Sequence, residues 1–238
     1  MSREGANDLT EVSAFIIVPI GREMLHPATA DNLVRAQKKL LSLGIGDVDI
    51  RFHRNRTHIH LARSHAVHLF LESKHTHLFW IDSDMTFHAD SVVRLLRLAT
   101  KPGIDVVGAA GRYRIEPPKF VAKLPKGVQA TNEYGLIAAE SYGLAFACQT
   151  RKALADLSAS TTRFARPNSV KKDALAFPLC VDFGFDQENK EVVGEDVELF
   201  RRLRELGYTC WLDPRISLGH IGDKEFSGRF LDTLTVTG

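Results

Sequence analysis

The 238 residues include only three cysteines, three methionines and two tryptophans. Cys148, Cys180 and Cys210 are far apart and odd in number, so the chain offers neither a disulfide framework nor a CxxC metal site, and a reducing compartment is expected. Long apolar runs are missing as well. The N-terminal MSREGANDLTEVSAFIIVPIG carries charge on both sides of a short apolar stretch, too short for a signal h-region or a membrane span. The expectation is a cytoplasmic protein with no stable membrane insertion. Nor does charge of one sign dominate: 31 Lys and Arg stand against 29 Asp and Glu, so the formal charge is 31 − 29 = +2. A nucleic-acid binder needs clustered basic residues to displace counterions, so nucleic acid is not an expected partner. After the first strand the sequence reads Val18-Pro19-Ile20-Gly21-Arg22, which is not a Gly-rich phosphate loop.

What is there is the composition of an ordinary folded protein, 44% hydrophobic and 25% charged, able to bury enough apolar surface to offset chain entropy. Apolar strand-like runs alternate with helical spacing through the first half. Strands are expected at 14–19, 48–52, 77–82 and 104–110, with helices at 31–43, from Thr57 to about Ser73, and from a cap at Asp90. That β-α-β-α-β-α-β order implies a parallel sheet with crossover helices, whose ligands sit at the carboxyl ends of strands. The second half reads as short strands at 120–124, 136–141, 144–149 and 208–212. A helix starts near Lys152 and an amphipathic one spans 195–206. The basic stretch from Arg163 to Lys172 is expected to be a loop. One compact α/β domain with a mixed-sheet second half is the expected fold class.

Three features can carry chemistry. Trp80-Ile81-Asp82-Ser83-Asp84-Met85 puts two carboxylates one residue apart at the end of an apolar strand, where unpaired charge is costly and a cation is needed. A hard divalent ion such as Mg²⁺ or Mn²⁺ takes such oxygen ligands and bridges them to substrate phosphates. The plainer alternative is that these acids cap a turn. Gly194-Glu195-Asp196 opens the amphipathic helix. Acids are favoured there by the helix dipole alone, but a carboxylate held on a rigid element can also act as a general base. Leu218-Gly219-His220-Ile221-Gly222-Asp223-Lys224 leaves an imidazole between glycines, free to ligate a metal, with Lys224 and Ser227-Gly228 near enough for phosphate oxygens.

Taken together over residues 14–228, these features resemble the nucleotide-sugar glycosyltransferases of the GT-A (Rossmann-like) fold. The order is a strand ending Val18-Pro19-Ile20, the Arg63 helix (LARSHAV), IDSDM, GLAFACQTRKAL, GED and GHIG. The chain looks most like family 2-related members and the small stand-alone enzymes of large DNA viruses and phages. The resemblance implies a single domain, with 1–112 as nucleotide-binding half and 113–238 as acceptor-binding half. It implies that Asp82, Asp84 and His220 hold Mn²⁺ or Mg²⁺ against the donor diphosphate. Pro19, Ile20, Arg63, Ser83, Gly143 and Lys224 would line the donor site. Asp196 would accept the proton of the acceptor hydroxyl, and Glu195 would orient acceptor or sugar. The expected activity is transfer from a nucleoside-diphosphate sugar, UDP-linked ahead of GDP-linked, to a hydroxyl of a glycan or other acceptor, with inversion. The alternatives are a sugar- or nucleotide-binding module of the same fold without turnover, and a nucleotidyltransferase.

Histidine is the compositional oddity, with eight of the 10 between His53 and His88. His65 and His68 share a helix face, yet no HExxH motif or cysteine cluster accompanies them. They are expected to be solvated or hydrogen-bonded helix residues.

Overall fold

Ala14–Ile20 (β1) is buried along its whole length, as its β-branched run requires of a strand covered on both faces. The computed structural model describes residues 9, 11–21, 25–54, 58–127, 130–164, 177–186 and 190–234. After β1 the chain continues as Pro27–Ser42 (α1), Val48–Arg54 (β2), Ile59–Glu72 (α2), His77–Ile81 (β3), Met85–Phe87 (β4), Ala89–Ala99 (α3) and Val106–Gly108 (β5). The second half follows as Ala122–Lys123 (β6), Ile137–Ala139 (β7), Ser141–Tyr142 (β8), Phe146–Thr150 (β9), Arg151–Ala159 (α4), Arg163–Phe164 (β10) and Phe177–Pro178 (β11). Gly184–Asp186 (β12), Glu191–Val193 (β13), Glu195–Glu205 (α5), Cys210–Leu212 (β14), Ser217–Ile221 (β15) and Glu225–Arg229 (β16) complete it.

The central sheet has the order β2-β1-β3-β9-β5-β14-β7. β2, β1 and β3 run parallel, as do β5 and β14, while β9 and β7 run against their neighbours. This is the expected α/β class, a mostly parallel sheet with a mixed second half. Successive β1 side chains point to opposite faces, so Ile16 and Val18 join α1 and α3 in one core while Phe15 and Ile17 join α2, α4 and α5 in the other.

Several boundaries differ from the sequence expectation. Helix α1 starts at Pro27 rather than Asp31, because proline's fixed φ suits the first turn and His26 accepts the Ala28 N–H at 3.2 Å. His88, not Asp90, caps α3, accepting from the Asp90 N–H at 3.3 Å. His220 lies inside β15, a strand that was not among the expected ones. Thr57, Arg22 and residues 165–172 of the basic stretch lie outside the described residues.

Candidate functional site

Two registers build the site. β3 pairs with β1 only from Ala14 to Ile17, so β1 runs on to Pro19 without it, and proline, with no N–H to give, tolerates that free edge. The chain then turns through Asp82-Ser83-Asp84, where the Met85 N–H donates to the Asp82 carbonyl at 3.3 Å, and enters β4. β4 pairs antiparallel with β15, setting His220 opposite Met85. The Ile221 N–H donates to the Asp84 carbonyl at 2.8 Å. Asp84 and His220, 136 positions apart in sequence, thus become neighbours. A Cβ on Gly219 would press on the Thr86 hydroxyl and the Glu225 carboxylate, whose side chains hydrogen-bond each other.

A cleft of about 370 Å³ opens at this end of the sheet. It is lined by Pro19, Arg63, Asp82, Ser83, Asp84, Gly143, Glu195, Asp196 and His220 from the expected set, with Ile59, Val121, Leu144 and Ala145 besides. The last four escaped sequence reading because apolar wall residues look like core. Ile20 is buried and does not line the cleft. Lys224 does not line it either: its ammonium sits over the Phe226 ring and 3.4 Å from Glu116.

Arg63 is the buried organiser. Its side chain is 5% exposed. One terminal nitrogen donates to Glu195 Oε1 at 2.6 Å and the other to both Asp82 oxygens at 3.0 and 3.2 Å. Burial opposes its charge, but Asp82, Glu195 and Asp196 outweigh that effect and raise its pKa above the usual guanidinium value. It therefore lies behind the acids, whereas the expectation placed it on the base or phosphates.

Asp84 has different partners. Its Oδ2 receives Arg114 and lies 3.4 Å from His220 Nε2. Burial pushes the Asp84 pKa up, but the hydrogen bond and charge of His220, then Arg114, hold it below the usual carboxylate range. The bond to Asp84 raises the His220 pKa against burial. His220 Nδ1 lies 2.8 Å from the Arg112 carbonyl; that carbonyl only accepts, so Nδ1 carries the proton and Nε2 is aimed at Asp84. Arg112 is itself fixed, donating to the Ser227 carbonyl at 2.8 Å and the Ile115 carbonyl at 3.1 Å. Arg112 and Arg114 lie four and six residues beyond the end of β5, and basic residues in the loop at the carboxyl end of a strand were the signal that could have found them.

Asp196 uses Oδ1 to accept the Val197 N–H at 2.8 Å. Its Oδ2 lies 4.0 Å from where a Cβ on Gly143 would stand. That Cβ would meet its neighbours at ordinary contact distance, the nearest being Val121 at 3.4 Å.

The expected cation fits two of these side chains rather than three. Among the described residues no three His, Cys, Asp or Glu side chains converge as a metal-holding group. Asp84 and His220 do face each other, with the imidazole oriented by a backbone carbonyl as metal-ligating histidines are. A pair of protein ligands completed by water and phosphate suits Mg²⁺ or Mn²⁺. Asp82, with both oxygens on Arg63, belongs to the supporting layer.

No family model and no curated protein matches the chain. Among solved structures, A197 from STIV superposes with a TM-score of 0.53 at 17% identity, over 92% of this chain and 91% of that one. The two share a fold. GalNAc-T7, solved with UDP, GalNAc and Mn²⁺, aligns with a TM-score of 0.48 at 12% identity over 89% of this chain and 44% of its own. The 4-diphosphocytidyl-2C-methyl-D-erythritol synthase of Anaerococcus prevotii aligns with a TM-score of 0.37 at 10% identity over 71% and 82%. These last two are too distant to bear on the fold. Among the described residues no helix is long and apolar enough to cross a membrane.

Proposed function

We propose that the protein is a metal-dependent glycosyltransferase moving a sugar from a nucleoside-diphosphate donor, UDP-linked ahead of GDP-linked, to an acceptor hydroxyl with inversion. The observation that carries the reading is the Asp84–His220 pair, with Nδ1 anchored on Arg112, sharing one cleft with the carboxylate of Asp196. Residues 1–112 hold the nucleotide and 113–238 the acceptor. The fold shared with A197 supports the architecture and is silent on chemistry.

Asp84 and His220 would hold the divalent ion, which when bound supplies positive charge where the leaving diphosphate gains negative charge. Arg63 fixes Asp82 and Glu195 in place through its two terminal nitrogens. Pro19 and Ser83 shape the donor wall, and Gly143 leaves the sugar room. Asp196 takes the acceptor proton as the new bond to the anomeric carbon forms and the bond to the phosphate oxygen breaks. Asp196 is held on a helix terminus by its own Val197 contact, which favours a fixed proton acceptor over a flexible one.

The test is a panel of nucleotide sugars with and without Mn²⁺, read by thermal shift and donor turnover. One donor should stabilise the wild type only with metal, and Asp84→Ala should lose that stabilisation. In Asp196→Asn binding should persist while transfer falls by about 10²–10⁴-fold, the range for a positioned base. Donor-independent melting with no metal effect would refute the reading in favour of a module without turnover.

A further inference from the structure

The cleft and its edge carry four carboxylates, Asp82, Asp84, Glu195 and Asp196, against two guanidiniums, Arg63 and Arg114. Even with the imidazole charged, negative charge leads by 4 − 3 = 1, a poor host for a diphosphate. Arg63 cannot turn to a ligand, because it is buried and bound on both sides by acids. Arg114 is placed otherwise. Its side chain is 37% exposed, it follows β5 at the carboxyl edge of the sheet, and its stem crosses Gly222, where a Cβ would lie 2.9 Å from Arg114 Cδ. Its guanidinium rests on Asp84 Oδ2, the oxygen that also faces His220.

We propose that Arg114 is an exchange residue: it holds Asp84 while the cleft is empty, gives up that oxygen when a divalent cation enters, and turns onto the phosphate oxygens of the nucleoside diphosphate. The inference rests on the donor site proposed above. A planar guanidinium suits carboxylate and phosphate equally, so the same fork serves both partners. Arg114 then competes with the metal alone and cooperates with metal plus nucleotide. The two effects of removing it have opposite signs, which mere damage to the site would not produce.

Calorimetric titration of the full chain with MnCl2, and of the Mn²⁺-saturated chain with UDP and separately GDP, tests this. Arg114→Gln should bind Mn²⁺ at least about tenfold more tightly and nucleotide at least about tenfold more weakly, the scale of one charge-assisted hydrogen bond. Gly222→Ala, whose methyl displaces the Arg114 stem without removing its charge, should also tighten Mn²⁺ binding. If both variants melt like the wild type and bind Mn²⁺ unchanged or more weakly, the exchange role is overturned while the donor site stands. If the wild type itself takes neither Mn²⁺ nor nucleotide, the donor site fails and the exchange role with it.

Discussion

At the scale of single residues, Arg63 is the support on which the acids of the cleft depend. Removing one partner of a buried ion pair leaves the other charged and unsatisfied, at a cost on the order of 3–5 kcal/mol. Asp82 keeps some contact with water, so Arg63→Gln should lose about 3 kcal/mol, at the lower end of that range, measured as a fall in the urea midpoint at constant slope. A loss too small to resolve would show that water replaces the guanidinium and that Arg63 organises nothing. Glycine gives a second contrast. A Cβ on Gly108 would press into the buried Tyr142 ring and stand 2.9 Å from the Phe146 carbonyl, whereas one on Gly143 meets only ordinary contacts. Gly108→Ala should therefore destabilise by about 1–3 kcal/mol as overpacking does. Gly143→Ala should melt like the wild type yet bind nucleotide sugar more weakly. Reversal of that pattern in paired melting and binding curves would remove Gly143 from the donor wall.

Among elements, the β4–β15–β16 sheet decides whether the Asp84–His220 pair exists, because its register sets His220 beside the turn that carries Asp84. His220→Ala should make the Mn²⁺-dependent thermal shift vanish. Gly46→Ala, where a Cβ meets nothing within 4 Å, is the control and should keep the shift. Retention of the shift in both would mean that His220 is not needed for the metal. This sheet also marks the limit of what the sequence discloses. The parallel half was legible, since β1, β3 and their crossover helices each carry a dense apolar pattern of one period. So was the carboxylate at the end of β3, because charge directly after a buried strand has few structural excuses. β4 was hidden: three residues, Met85–Phe87, are too short for periodicity to register, and their partner strand lies far along the chain. The same gap concealed which acid pairs with Arg63 and which with His220, because side-chain pairing follows from tertiary register. Arg114 and Glu116 gain their meaning only from that register, which brings them to Asp84 and Lys224.

Over the whole molecule, the histidines gathered between His53 and His88 bear on stability through proton balance. His65 on α2 packs between His53 of β2 at 5.1 Å and His68 at 6.1 Å between ring centroids. Burial, then the charges of His53 and His68, lower its pKa to about 4. Burial also lowers that of His77 on β3. A histidine whose folded pKa lies below its unfolded value of about 6.5 binds its proton more readily in the unfolded chain, so stability is full above that value and drains as pH falls. His220 acts in the opposite sense, since Asp84 raises its pKa. The difference between wild type and a His65 variant cancels both His77 and His220. Because His65 is half-buried, solvent screening reduces the full effect of its shift. Urea unfolding of wild type and His65→Gln at steps from pH 7.5 to 3.5 should give curves that diverge below pH 6.5, the variant losing less stability per step. The divergence should cease near pH 4, where the folded-state imidazole also takes its proton. Parallel curves across this window would show that the His53–His65–His68 contact imposes no proton cost and that acid sensitivity arises elsewhere in the fold.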